Sequence, residues 1–309
     1  MAGALNEQSA VRMLELGGVQ FTYVIDGAMA LVPGAFFPAI PAAYWTEHPE
    51  ALDAKGRVAA SAGGLLVERE GRTLLVDVGL GVATDPVEIG GEPVAFSDSG
   101  ALPDTLVALG HRPEDVEAVA FTHLHVDHTG WAFVDGRKFF PAATYLVAAQ
   151  EWAPHGRGEL VPGAPGRAEV IEPLAATHQV LGDGDEVFPG VRALVTPGHS
   201  PGHTSYVIEA GARRVVAFGD VFHVPAQLTH PGWPSLPDVD VAGVLAARRR
   251  IVEELERPGS IGFGCHFGDQ AFGRVERDTD GLLKWEPVEA EAVLPAPRVL
   301  GTESALSPH

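Results

Sequence analysis

The sequence predicts an α/β (α+β) chain folded as a four-layer αββα sandwich. Two observations carry that expectation. Apolar, strand-like runs are interspersed with a few helical segments and do not alternate strictly with them, which argues against a doubly wound parallel sheet. Polar clusters also stand where several of those apolar runs end. With 309 residues, 46% of them hydrophobic, the chain is long enough to bury a substantial core.

Taken in order, FTYVIDGAMALV near the N-terminus reads as a strand, and the Pro- and aromatic-rich PGAFFPAIPAAYW after it as a loop. GGLLVERE and RTLLVDVG form a strand pair turning at Glu70 and Gly71. Residues 83–104 are rich in Gly, Pro and Asp and read as a long loop. Leu102, Leu106 and Leu109 fall near helical spacing, with Gly110 placed to end a short helix. VEAVAF is a buried strand running into a histidine cluster. ATYLVA and VRALVTPG read as strands, SYVIEAGARRVVAFGD as a hairpin and DVAGVLAARRRIVEELE as an amphipathic helix. SIGFGCHFG reads as a strand that ends in a histidine.

Charge and composition exclude several classes. A formal net charge of −20 disfavours a nucleic-acid surface, which relies on Lys and Arg. The single cysteine, Cys265, rules out an intramolecular disulfide framework and suits a reducing compartment. MAGALNEQSAVRMLELGG lacks the basic stretch and apolar core of a secretory signal. No run approaches the ~20 apolar residues of a membrane span. The expectation is a cytoplasmic protein without nucleic-acid or membrane partners.

The chemistry concentrates in AVAFTHLHVDHTGW, where His123, His125, Asp127 and His128 crowd into six positions directly after an apolar strand. Along an extended or turning backbone His123 and His125 can present their rings to one side. Imidazole nitrogens and a carboxylate are the donors that borderline divalent metals such as zinc prefer. An isolated histidine is usually just a hydrogen-bonded polar residue, but four such donors in one loop are not explained that way. Three more candidates follow apolar runs in glycine-bearing turns: His199 in VTPGHSPGHTS, Asp220 in VVAFGDVFHV and His266 in GFGCHFGD.

The order and kind of these seven residues resemble the metallo-β-lactamase-fold hydrolases. That resemblance implies one metal held by His123, His125 and His199 and another by Asp127, His128 and His266, with Asp220 bridging. It also implies a bridging hydroxide as nucleophile, positioned by Asp127. Zinc is the expected ion of both sites. The two halves share no convincing sequence repeat and no linker divides them, so residues 1–309 are expected to form one domain. Its parts are an N-terminal strand and substrate-covering loop over 1–60, a metal-binding core over 61–285 and a flexible tail over 286–309.

Within that superfamily, flavin-linked diiron reductases usually carry a carboxylate where this chain has His125. Glyoxalase-II-like enzymes have a further helical domain. True β-lactamases lack the bridging aspartate, present here as Asp220. GDVFHVPAQLTHPGWPSLPDVD and SGALPDTLVALGHRPEDVEAVAFTHLHVDHTGW look like the methyl parathion hydrolase and acyl-homoserine lactonase branch. Typical acyl-homoserine lactonases place a tyrosine three residues after the bridging aspartate; this chain has His223 there, an imidazole able to donate a hydrogen bond or a proton. The expected activity is opening of a small-molecule lactone or cleavage of a carboxylic ester. The alternatives are a phosphotriester or aryl-ester hydrolase, a hydrolase of a biosynthetic thioester, and a non-catalytic metal-binding sensor.

Neighbouring residues receive plainer readings. His203 is expected behind the ligands, Asp77 as a satisfied buried carboxylate and Cys265 as an inert buried thiol facing away from the site. His48, His111, His155, His178 and His309 are expected at the surface. Candidates for an apolar substrate pocket are Phe36, Phe37, Trp45, Trp131, Phe133, Trp233 and Phe267. Adjacent Phe36 and Phe37 cannot both face inward along a strand, so one ring is left to cap a substrate or enter a homodimer interface.

Overall fold

A computed structural model describes residues 3–83, 86–89 and 92–297. Among them, two large sheets face each other, of ten and seven strands. The first runs in the order His178–Leu181, Thr144–Ala148, Ala118–Ala120, Arg72–Val76, Val58–Arg69, Val19–Leu31, Val11–Leu16 and Glu291–Leu294. The second runs Glu186–Phe188, Val191–Val195, Thr204–Ala210, Arg213–Ala217, Ser260–Phe263, Phe272–Arg277 and Leu283–Pro287.

Strand periodicity explains the four layers. Alternate residues point to opposite faces, and here both faces are buried. Leu65, Val67, Ile208 and Val215 join Phe21, Tyr206 and Phe263 in the core between the sheets. Their neighbours turn outward: Leu66 joins Leu102, Leu106 and Leu174 under the helices of the first sheet, and Val207 and Val216 pack on Ala247, Ile251 and Leu255. Those last three belong to the helix Val241–Leu255, capped by Asp240 accepting from the Ala242 N–H. The αββα order follows, and so does the near-continuous apolar character of the strands.

The structure departs from the sequence expectation in four places. The stretch read as a long loop contains the strands Pro86–Ile89 and Glu92–Ser99, an antiparallel hairpin attached to Val19–Leu31. Its alternation is masked by Gly, Pro and Asp, which pairing with a long neighbouring strand overrides. The expected N-terminal loop includes the short helices Pro33–Phe36 and Ala42–Glu47. Within the expected tail, Glu291–Leu294 pairs with Val11–Leu16, so that segment belongs to the sandwich; 298–309, including His309, lie outside the described residues. His155 is buried in the helix Ala149–Gly156 and not at the surface. No helix among the described residues is long and apolar enough to cross a membrane.

The feature that places the site is strand direction. Arg72–Val76 is parallel to Ala118–Ala120, and Arg213–Ala217 is parallel to Ser260–Phe263. Val191–Val195 runs the same way as the latter pair, being antiparallel to their common neighbour Thr204–Ala210. The loops leaving the carboxyl ends of these strands carry Asp77, the His123–His128 cluster, His199, Asp220 and His266.

Candidate metal centre

The loops bring all seven expected residues together. Ligating atoms of His123, His125 and His199 lie within 4.8 Å of one another, and so do those of Asp127, His128, Asp220 and His266. Asp220 stands between the groups. Its Oδ2 is 3.3 Å from His199 Nε2 and 3.9 Å from His123 Nε2, while Oδ1 is 3.2 Å from both His128 Nε2 and His266 Nε2. Asp127 Oδ2 closes the second group at 3.5 Å from His128 Nε2 and 3.7 Å from His266 Nε2. His125 turns Nδ1 toward His199 Nε2 at 3.1 Å. Asp127 is the most exposed of the seven, and the other six are buried.

Backbone conformation makes room for this crowding. Gly219 has φ +51°, and a Cβ there would meet His203 Nε2 at 2.6 Å, so only glycine lets the chain turn Asp220 inward at this point. Asp77 adopts φ +62° without being glycine, a conformation held by three hydrogen bonds to its carboxylate.

Those bonds orient the ring nitrogens. His128 Nδ1–H donates to Asp77 Oδ2 at 2.8 Å, and the Thr122 hydroxyl donates to the same oxygen. Because Thr122 spends its hydrogen on Asp77, its Oγ1 accepts from His123 Nδ1–H at 3.0 Å. His199 Nδ1–H donates to Asp238 Oδ1 at 2.8 Å, and His266 Nδ1–H to the Ser61 carbonyl at 3.0 Å. Each of the four rings therefore presents a bare Nε2 to the centre, the state a metal ligand needs. The buried Nε2 atoms of His123 and His128 have no hydrogen-bond partner, an arrangement a cation satisfies and an empty polar core does not. The donor set fits divalent metals of zinc's class.

Without a metal, the electrostatics divide the imidazoles. Burial, reinforced by the crowding of His128 and His125, holds His123 well below the usual imidazole range. Burial and His199 push His125 down to about 3. Burial alone would raise the Asp220 carboxyl, but the imidazoles of His128, His266, His223 and His199 hold it well below the usual carboxylate range. His128 moves the other way: burial opposes its charge, yet Asp220, Asp127 and Asp77 raise it well above normal.

The remaining candidates sort by contact. His203 Nε2 accepts from the Asp220 N–H at 3.0 Å and Nδ1 meets Thr196 Oγ1 at 2.9 Å, so it holds the backbone of the central aspartate from behind the candidate ligands. Cys265 departs from expectation, its Sγ lying 3.9 Å from Asp220 Oδ1. The strand ends at Phe263, so residues 265 and 266 lie in a turn where strand alternation does not apply. His223 enters the site, with Nε2 3.1 Å from Asp220 Oδ2. Phe37 is fully buried and Phe36 half-buried, its ring 5.4 Å from that of His223. Phe133 and Phe267 belong to the packed cores, and Trp131 donates Nε1–H to the buried carboxylate of Asp26. A cavity of about 420 Å³ opens beside His266, lined by Tyr44, Trp45, Val58, Val224 and His230, with Trp233 stacked on His230.

Two carboxylates that brace the candidate ligands escaped the sequence reading. Asp238, backing His199, lies in SLPDVD, where nothing distinguishes it from a turn residue. Glu151 accepts from the Leu124 N–H through Oε1 and from Ser200 Oγ and the Gly202 N–H through Oε2, tying the first histidine loop to the His199 loop. Its only sequence signal is an acidic residue beginning a short helix just after a strand.

Comparison with known proteins bears on this geometry. The family model of the metallo-beta-lactamase superfamily matches residues 64–258. An N-acyl homoserine lactonase of Bacillus cereus is 34% identical over 154 residues, 47% of this chain and 56% of that one. The N-acyl homoserine lactonase AttM of Agrobacterium fabrum is 32% identical over 139 residues, 41% of this chain and 51% of its own. The chain thus spans about half the length of the curated relatives it matches. Among solved structures, AidC, a dizinc quorum-quenching lactonase, aligns with TM-score 0.77 at 19% identity, covering 92% of this chain and 99% of that one. The hydrolase AbOPH of the beta-lactamase superfamily aligns with TM-score 0.75 at 24% identity, covering 93% and 100%. At these identities the structural likeness shows the fold.

Proposed function

The chain belongs to the metallo-beta-lactamase superfamily, and from that membership we propose that it is a metal-dependent hydrolase opening a lactone or cleaving a carboxylic ester. The observation that carries the reading is Asp220, whose two oxygens face two separate groups of donors. His123, His125 and His199 would hold one divalent ion, Asp127, His128 and His266 the second, with Asp220 shared. Zinc suits the imidazole-rich set, and the likeness to a dizinc lactonase supports that choice. When bound, a pair of dications supplies a nucleophile at neutral pH by acidifying water, and polarises the carbonyl under attack.

The protein's own residues do the rest. Asp127, the least buried carboxylate of the site, accepts the hydrogen bond that orients the attacking water. His223, facing the other side of Asp220, donates to an oxygen of the substrate. The apolar cavity beside His266 receives the acyl part and excludes water from it, as apolar pockets do. The lactonase relatives favour a lactone as substrate. An aryl ester or phosphotriester is the second reading, favoured by the Tyr44, Trp45 and His230 rings that line the cavity.

The deciding experiment follows proton release from zinc-loaded protein given a panel of acyl-homoserine lactones, beside a chelator-treated control. Ring opening that depends on metal is expected. If protein holding two zinc ions per chain opens no lactone, the leading substrate is wrong, and the same assay with aryl esters and phosphotriesters decides the second reading.

A further inference from the structure

His223 is held differently from the imidazoles around it. His123, His128, His199 and His266 all turn Nδ1–H toward an acceptor and keep Nε2 bare. At His223 the polarity is reversed, and the Gln227 carboxamide shows why. Its Oε1 accepts from the His223 N–H at 2.7 Å, while its Nε2 donates to the Trp233 carbonyl at 3.1 Å, so the backbone fixes which end is which. The second hydrogen on Nε2 goes to Ser235 Oγ at 2.9 Å. Among the described residues, the partner left for the Ser235 hydrogen is His223 Nδ1, 3.0 Å away. The serine donates and the imidazole accepts, since a buried hydroxyl hydrogen is costly to leave unpaired.

The consequence falls on the far nitrogen. With Nδ1 accepting, the ring carries its hydrogen on Nε2. That atom is buried and 3.1 Å from Asp220 Oδ2, but out of line for a hydrogen bond, and it has no other partner. The ring cannot swing away, being stacked on His266 at 5.6 Å and edge-on to Phe36. A buried donor aimed into the centre and unpaired there is a place prepared for an oxygen that arrives later.

We propose that His223 is a hydrogen-bond donor to the substrate oxygen that gains negative charge, fixed in its Nε2–H form by Ser235 and Gln227. It is neither a further metal ligand nor a group that surrenders its proton. This rests on the hydrolase reading above. A ligand needs a bare Nε2. A ring that gave up its Nε2 hydrogen would have to gain one at Nδ1, and behind Ser235 stands only a carboxamide, which has none to supply. Ser235 and Gln227 are positioning residues acting through His223.

The test is nitrogen NMR of zinc-loaded, histidine-labelled protein, with the His223 signal assigned through His223→Gln. Wild-type protein is expected to show a hydrogen on Nε2 and none on Nδ1, and Ser235→Ala to shift the population toward the other form. Zinc should remain at two per chain in His223→Gln and His223→Phe. On the lactone opened fastest, His223→Gln, whose amide donates but is no acid, should keep kcat within about tenfold, while His223→Phe loses about 10²–10³-fold. Loss of a zinc in either variant, a hydrogen on Nδ1 in the wild type, or equal loss of kcat in both variants overturns the proposal. If no lactone is opened by the two-zinc protein, the substrate reading fails by itself, and the NMR and zinc counts still decide the form of His223.

Discussion

At the level of single residues, the candidate ligands are only half of the centre. Asp238 receives the Nδ1 hydrogen of His199 and also the Ser235 N–H, so one carboxylate steadies a ligand and the loop that carries the Ser235 hydroxyl. Asp238→Asn preserves shape and removes the charge. Its zinc affinity should fall about 10–100-fold, as losses behind a ligand do, measured by competition with a chromogenic chelator; an unchanged affinity would show that His199 is oriented by packing alone. A pH effect belongs to a residue away from the centre. His111 Nε2 lies 3.3 Å from Glu68 Oε1, and that contact raises its imidazole above the ordinary value. A raised folded-state value means the stabilisation is complete below about pH 6.5, the unfolded value. It is lost as pH climbs through the folded value. The melting temperature of His111→Gln should therefore trail wild type at pH 6 and converge with it at pH 9, a gap of about a degree for a partly exposed pair. An equal gap at both pH values would remove the charge from the explanation.

At the level of elements, the helix Val241–Leu255 does more than cover the second sheet. Its Arg248, fully buried, donates Nε–H to the Val221 carbonyl at 3.0 Å and reaches the Pro231 and Trp233 carbonyls at 2.7 Å each. Those three carbonyls belong to the segment carrying Phe222 through Ser235, so a single guanidinium pins the loop that positions His223. Burial pushes that guanidinium down to about 10, which still leaves it charged at neutral pH. Arg248→Leu leaves the buried Val221 carbonyl unpaired and strips a hydrogen bond from the Pro231 and Trp233 carbonyls, and should destabilise the fold by about 2 kcal/mol or more, read as a shift of the urea midpoint. Activity should fall further than the folded fraction, because the loop is released as well. A variant of wild-type stability would show that water replaces the guanidinium. The same economy appears at the other edge, where Asp269 just after His266 accepts from Arg12 and from the Ala10 N–H. The first strand thereby anchors a ligand loop.

At the level of the whole molecule, the candidate ligands divide between the two sheets. His123, His125, Asp127 and His128 leave the first, and His199, Asp220 and His266 leave the second, so bound cations would tie the two halves of the sandwich together. Metal binding is then linked to folding. At a thousandfold excess over Kd, one site adds about 4 kcal/mol, several degrees in melting temperature for a chain of this size. Treatment with a chelator should lower the melting temperature, and zinc should restore it. Restoration should weaken toward acid pH, because protons compete with the cation for the imidazoles and carboxylates of the donor set. Indifference of the melting temperature to chelation would mean that the sheets hold the donors in place unaided.

What the sequence determined by itself was the chemistry: which side chains can ligate, their order, and the apolar runs that deliver them to strand ends. Those signals are local. Four donors crowd into six positions, and strands with both faces buried advertise themselves as unbroken hydrophobic stretches. The tertiary structure alone decided the supporting set. Asp238, Glu151, Ser235 and Gln227 are ordinary polar residues whose partners lie on other loops, and a carboxylate in a turn looks the same in sequence whether it faces water or backs an imidazole. Cys265 and the hairpin Pro86–Ile89 with Glu92–Ser99 were misread for a related reason. In each, the deciding factor was a neighbour brought close by the packing of the sheets, and no pattern within the segment records it.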